Sequence, residues 1–267
     1  MIGRWVRDHL VLMLGLAVLA YTFVPIAVVV LMSFNAPASR NVYQFDGFTL
    51  DNWLNPCAPE GMCSAVGRSI EIGLLSTLVA TVLGTLAAFA LVRHDFVGRS
   101  SSNLLIFLPM ASPEIVMGSS LLALFVASGL GGKLGFWTIF VAHVMFCLSF
   151  VIVTVRSRLA GMDDNLEQAA MDLYATPQQT FWRVTFPLVF PGILGAALLS
   201  FSLSFDDFII TNLNAGTTTT FPMFVWGAAQ RGVPMQVNVV GTVMFAISVL
   251  IVVTGEVNSR RRARALA

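Results

Sequence analysis

Three carboxylates stand where the surrounding residues are too apolar to solvate them. Glu114 follows Pro113 inside the run 103–128, and Asp206 and Asp207 close the run 188–205. No lysine or arginine lies close to any of them in sequence. A charge within a bilayer is costly and tends to face a path, a cavity or a partner. Two or three carboxylates on one path attract an organic di- or triamine and repel anions. The alternative is a hydrogen-bonded structural carboxylate or a helix-end charge. Ser204 and Thr211 offer hydrogen bonds to the same solute. Trp53 and Trp226 offer ring faces to an ammonium group, although such rings also serve as interfacial anchors. His143, inside another apolar run, reads as an interhelical hydrogen-bonding residue rather than a proton relay. Glu71 has Arg68 three residues before it and reads as a structural ion pair.

Other chemistry is missing. No G-x-x-x-x-G-K-[ST] occurs: Gly131-Gly132-Lys133 is followed by Leu134, so nucleotide is not held by that route. No nucleophile–base constellation and no Cys/His cluster with metal-ligand spacing is present. The chain reads as a non-enzyme with no cofactor of its own, and any driving energy must come from elsewhere.

The elements that position these residues are apolar spans. Apolar residues make up 57% of the 267 residues and charged residues 11%, against roughly a quarter charged in a soluble domain. A spanning helix needs about 20 mostly apolar residues. Six runs qualify: His9–Phe34, Ser69–Leu91, Asn103–Ser128, Leu134–Val155, Leu188–Phe205 and Val237–Val257. The first is too long for a signal-peptide core. The expectation is an all-α membrane protein, a single transmembrane domain over 1–267. Pro109 and Pro113 should break the third run and free backbone carbonyls, which is tolerable where they line a cavity.

Basic residues orient the spans. With the N-terminus inside, Arg4, Arg7, Arg93, Arg99, Arg156, Arg158, Arg183, Arg260, Arg261, Arg262 and Arg264 are cytoplasmic. Arg40, Arg68, Lys133 and Arg231 are external. Both termini are therefore expected in the cytoplasm. Cys57 and Cys63 fall in the first external loop, where an oxidising exterior permits a disulfide; two free thiols are the alternative. Cys147 is a mid-span packing residue. The stretch Phe221–Ala229 is apolar but too short to span.

The internal loop 156–187 is the most patterned segment. Leu166, Ala169, Ala170 and Leu173 form one apolar helical face. Asp164 is placed to cap that helix, with Glu167 as its reciprocal partner. Thr176, Pro177 and Gln179 restart a second helix through another capping box. Asp163, Asp164, Glu167 and Asp172 make the first helix acidic, so the anionic inner leaflet would repel it. A knob docking into a soluble partner fits better than a helix resting on headgroups.

This loop resembles the EAA loop of ABC-importer permeases, whose pattern is E-A-A, three residues, G, nine residues, I-x-L-P. The alanines are Ala169 and Ala170, the glycine position is Tyr174, and Val184-Thr185-Phe186-Pro187 closes the pattern. The usual glutamate position holds Gln168, with Glu167 one residue earlier, and Tyr replaces the usual Gly. Met1-Ile2-Gly3-Arg4, Ser112-Pro113-Glu114-Ile115-Val116-Met117, Leu134-Gly135-Phe136-Trp137, His143 with Phe146-Cys147, and Ser202-Leu203-Ser204-Phe205-Asp206-Asp207 resemble the polyamine (spermidine/putrescine) branch. The resemblance implies the type I ABC importer permease fold. It implies a second permease subunit in a heterodimer, a cytoplasmic ATPase dimer that uses ATP-Mg, an extracytoplasmic solute-binding protein, a lipid bilayer and no nucleic acid. It places ATPase coupling on Glu167, Gln168, Ala169, Ala170, Asp172, Tyr174 and Pro187, and the solute path on Glu114, Ser204, Asp206, Asp207 and Trp53, in a bacterial inner membrane. Other solutes of such permeases (ferric iron, thiamine, an opine, a phosphonate), a stand-alone secondary transporter or channel, and a membrane scaffold are the competing readings.

Overall fold

The computed structural model describes residues 2–38, 44–163 and 165–266, and the side chains of these apart from 2–8, 256 and 258–266. Arg40 and the Asp164 cap lie outside the described residues. In chain order the helices are α1 (Ile2–Met32), α2 (Asp51–Leu54), α3 (Met62–Arg93), α4 (Arg99–Ala111), α5 (Glu114–Ala127), α6 (Phe136–Ala160), α7 (Asn165–Asp172), α8 (Pro177–Thr180), α9 (Phe186–Asp206), α10 (Ile209–Asn214), α11 (Phe221–Ala229) and α12 (Met235–Leu266). A 3-10 turn, Gly131–Lys133, precedes α6, and a π-helical turn, Phe181–Thr185, joins α8 to α9.

Five segments are long and apolar enough to cross a membrane: His9–Met32, Met62–Arg93, Phe136–Ala160, Pro177–Asp206 and Met235–Gly255. They match five of the expected runs, with ends moved by up to eleven residues, most at the start of the fifth, which extends back to Pro177. The third expected run is broken, as its prolines imply: it is two helices, α4 and α5, meeting at 109°. Pro113 drives its predecessor out of the helical region, and Ser112 is extended (φ −79°, ψ 137°). Pro109, inside α4, does not interrupt it.

The chain forms two compact units, 64–224 and 1–63 with 225–267. In the unit 64–224, α6 is the buried hub. Its inward residues Ala142, Phe146, Cys147, Val151, Ile152 and Val155 pack with Ala80 and Ala88 of α3, Leu121 and Phe125 of α5, Val189 and Ala196 of α9, and Ile210 of α10. Small residues let membrane helices approach closely. A Cβ on Gly84 would lie 2.6 Å from Val151 Cγ1, and one on Gly118 would lie 2.8 Å from Leu213 Cδ1 and 3.2 Å from Ile210 Cα.

In the other unit α1 and α12 pair, with Phe23 edge-on to Phe245 at 6.3 Å. The chain after α1 is folded on Asn35 and Asn52. Asn35 Oδ1 accepts from Asp46 N, and Asn52 Nδ2 donates to the carbonyls of Ser33 and Asn35. Cys57 and Cys63 are joined by a disulfide.

Candidate solute path and coupling loop

The break at Ser112–Pro113 makes Glu114 the first residue of α5, where a carboxylate complements the positive end of the helix dipole. Its side chain is exposed. Asp206 is the last residue of α9 and is also exposed. Glu114, Asp206 and Asp207 lie near enough to act on one another electrostatically.

Asp207 is held differently from Glu114 and Asp206. It is buried, and its carboxylate is fully engaged within the protein. Oδ2 accepts from Thr211 N at 2.7 Å and Thr211 Oγ1 at 2.8 Å, Oδ1 accepts from Ile210 N at 3.4 Å, and Oδ2 lies 3.3 Å from His143 Nε2. These bonds satisfy amides that open α10, the task of a helix cap. Asp207 thus stops α9 and starts α10, which leaves Asp206 pointing outward beside it.

Ser204 is likewise buried. Its Oγ lies 2.7 Å from His143 Nδ1 and 3.0 Å from Ser76 Oγ. His143 Nε2 is 2.9 Å from Thr211 Oγ1. The imidazole, 1% exposed, joins α6 to α9 and α10, and Ser76 extends the network to α3. The expectation that His143 is a satisfied interhelical residue agrees with this geometry. Ser204, Asp207 and Thr211 are buried, whereas Glu114 and Asp206 are exposed. Spacing alone missed the His143–Asp207 pairing, because the partners stand on different helices.

Trp53, in the other unit, stacks on Phe34 at 5.4 Å and donates Nε1–H to Ser33 Oγ at 3.2 Å. These contacts make it a packing residue of the segment after α1. Trp226 is exposed. Glu71 is paired with Arg68 at 3.1 Å, as its spacing suggests.

The second constellation is the loop after α6. Its amphipathic helix is α7, and no residue of α7 is buried. Leu166, Ala169 and Leu173 of its apolar face are exposed and Ala170 is half-buried. Gln168 and Asp172 are exposed too. The Thr176 capping box forms, with Gln179 N donating to Thr176 Oγ1 at 3.3 Å and Thr176 N to Gln179 Oε1 at 2.9 Å. Pro187 sits in the first turn of α9.

Glu167 is engaged by side chains of two other segments. Its Oε1 accepts from Arg93 Nη2 at 2.5 Å and from Thr185 Oγ1 at 2.6 Å. At the N-terminus of α7 it is Asp163 whose Oδ1 accepts from Asn165 N, at 3.0 Å. Tyr174, at the glycine position, has φ 63° and is 96% exposed. Tyr174 N donates to Met171 O at 2.9 Å and Ala175 N to Ala170 O at 3.1 Å. This is the pair of bonds by which a left-handed residue closes a helix. The bend that glycine would make is made by tyrosine.

Among the described residues, no group of His, Cys, Asp and Glu is arranged to hold a metal ion.

Residues 80–257 match the family described as "Binding-protein-dependent transport system inner membrane component". The chain is 33% identical over 265 residues to the spermidine/putrescine transport system permease protein PotC of Escherichia coli strain K12, covering 99% of this chain and 97% of that protein. It is 36% identical over 240 residues to the putrescine transport system permease protein PotI of the same strain, covering 88% and 84%. In fold it is similar to a bacterial ABC transporter involved in the import of the acidic polysaccharide alginate, with TM-score 0.63, 16% identity and 94% and 96% coverage. A second likeness is to the MetNI methionine ABC transporter in inward-facing form, with TM-score 0.55, 17% identity and 78% and 99% coverage. The chain belongs to the binding-protein-dependent transport system inner membrane components. It is a multi-pass ABC importer permease, a transport subunit and not an enzyme.

Proposed function

We propose that this permease forms half of the translocation path for a polyamine, spermidine or putrescine. The observation that carries the reading is the exposed pair Glu114 and Asp206, set at two helix breaks and backed by the buried carboxylate of Asp207. Such an arrangement attracts an organic polycation and disfavours anions. The similarity to PotC and PotI, both named for polyamines, supports it.

In this reading the whole chain 1–267 acts as one permease domain and both termini are cytoplasmic. A second, non-identical permease completes the path, and an extracytoplasmic binding protein delivers the solute. An ATPase dimer uses ATP-Mg and docks on α7 through Gln168, Ala169, Ala170 and Asp172, and on Tyr174 just after it. The apolar face of α7 supports that contact, since among the described residues none of α7 is buried.

The test is reconstitution of the complex with its ATPase, partner permease and binding protein. Spermidine or putrescine should stimulate ATP hydrolysis and enter the vesicles, and Asp206→Asn should lower uptake at least tenfold. Undiminished polyamine uptake by Asp206→Asn would refute the acidic path. Stimulation by ferric iron, thiamine or a phosphonate with none by polyamines would move the chain to another solute.

A further inference from the structure

Three arginines counted above for orientation each hold a specific partner within the unit 64–224. Arg93 ends α3 and reaches Glu167 of α7. Arg156 of α6 donates Nη1–H to Asn103 Oδ1 of α4 at 2.7 Å. Arg158 of α6 donates Nε–H to Leu188 O of α9 at 3.0 Å. The last two strap span to span. The first alone reaches the helix that docks the ATPase.

That contact has an unusual form. One carboxylate oxygen, Glu167 Oε1, takes a donor from α3 and a donor from Thr185 in the π-turn that opens α9. Charge-assisted bonds are short and directional, so two of them on one oxygen fix a point on α7 against two spans at once. The carboxylate is mostly shielded, with 18% of its side chain exposed, and Thr185 is buried. Around it the packing is loose. A cavity of about 270 Å³ is lined by Phe89, Arg93, Met171, Thr180 and Phe181 as well as Glu167. The π-turn is a geometry that recurs at functional sites, and here it delivers the Thr185 hydroxyl.

We propose that Arg93 and Thr185 are positioning residues for energy coupling: through Glu167 they lock α7 to α3 and α9, so that movement imposed on α7 by the ATPase is passed to both spans. The inference rests on α7 being the ATPase contact, and not on the identity of the solute.

The experiment uses the full complex in proteoliposomes with a cysteine at Ser112, the helix break beside Glu114. The modification rate of that thiol by a small cationic reagent is compared before and after trapping with ATP-Mg and vanadate. In the otherwise unchanged complex trapping should alter the rate at least fivefold. In Arg93→Ala and in Thr185→Val the ATPase should remain bound and hydrolyse ATP within about twofold of the parent, and the response should fall below twofold. The exchanged pair Arg93→Glu with Glu167→Arg should recover at least half of it. A full response in Arg93→Ala and Thr185→Val overturns the proposal. So does loss of the ATPase from both, which would make them part of the docking face, and so does an exchanged pair that recovers nothing. Spermidine uptake measured in parallel should fall tenfold in Arg93→Ala. An unaltered complex that takes up no spermidine defeats the polyamine reading and leaves the thiol readout standing.

Discussion

His143 Nε2 lies 3.3 Å from Asp207 Oδ2, with both side chains buried. The pair closes a ring with Thr211, whose hydroxyl meets both partners. Removing one member of a buried pair leaves the other uncompensated, at a cost of about 3–5 kcal/mol. His143→Ala should therefore lower the thermal midpoint of the purified protein sharply. Asp207→Asn keeps the cap on α10 and should cost less. Because the two residues touch, the double variant should fall short of the sum of the singles by about 1–3 kcal/mol. Additive losses in a thermal unfolding series would show that the contact carries no coupling.

The two adjacent aspartates should respond oppositely to one added methylene. Asp206 is exposed, and if it meets the solute by its charge, Asp206→Glu should keep uptake within about threefold of wild type. Asp207 is buried and matters by position. Lengthening it overpacks a filled site and misplaces the cap, at about 1–3 kcal/mol or more, and Asp207→Glu should lose at least tenfold in uptake with the protein still inserted. Equal losses in a transport assay would mean that both residues meet the solute.

The contrast shows how far the sequence could be read. Apolar runs, proline and capping signals are local, and they located the spans, the break before Glu114, the Thr176 capping box and the short α11. The division between Asp206 and Asp207 is not local. It depends on which carboxylate the end of α9 turns toward His143, 64 positions earlier on another helix. The partner of Glu167 is not local either: Arg93 stands 74 residues away, at the end of another helix.

Gly118 tests the packing that carries this network. Its carbonyl accepts from Asn214 Nδ2 at 3.2 Å, and its Cα faces the backbone of Ile210. A Cβ there meets Ile210 Cα at 3.2 Å, and backbone cannot rotate aside as a leucine tip can. Gly118→Ala should cost about 1–3 kcal/mol by overpacking, and Gly118→Leu more. Circular dichroism melts of the purified chain should rank wild type above Ala and Ala above Leu. Gly195, with open space around its Cα, should tolerate alanine in the same series.

Tyr174 offers the last test, because its backbone and its ring pull in different directions. A non-glycine residue at φ 63° carries roughly 1–2 kcal/mol of strain. Tyr174→Gly removes it while keeping both closing bonds, so the amides of α7 should exchange with solvent about fivefold more slowly, as about 1 kcal/mol implies. Tyr174→Val, β-branched and less tolerant of a left-handed backbone, should speed exchange. The ring is 96% exposed, so its loss removes no contact within the chain. If the ring meets the ATPase, Tyr174→Gly should weaken ATPase retention although α7 itself is firmer. If only the bend matters, retention should rise with helix stability. Co-purification of the ATPase, measured beside hydrogen exchange on the same variant, separates the two.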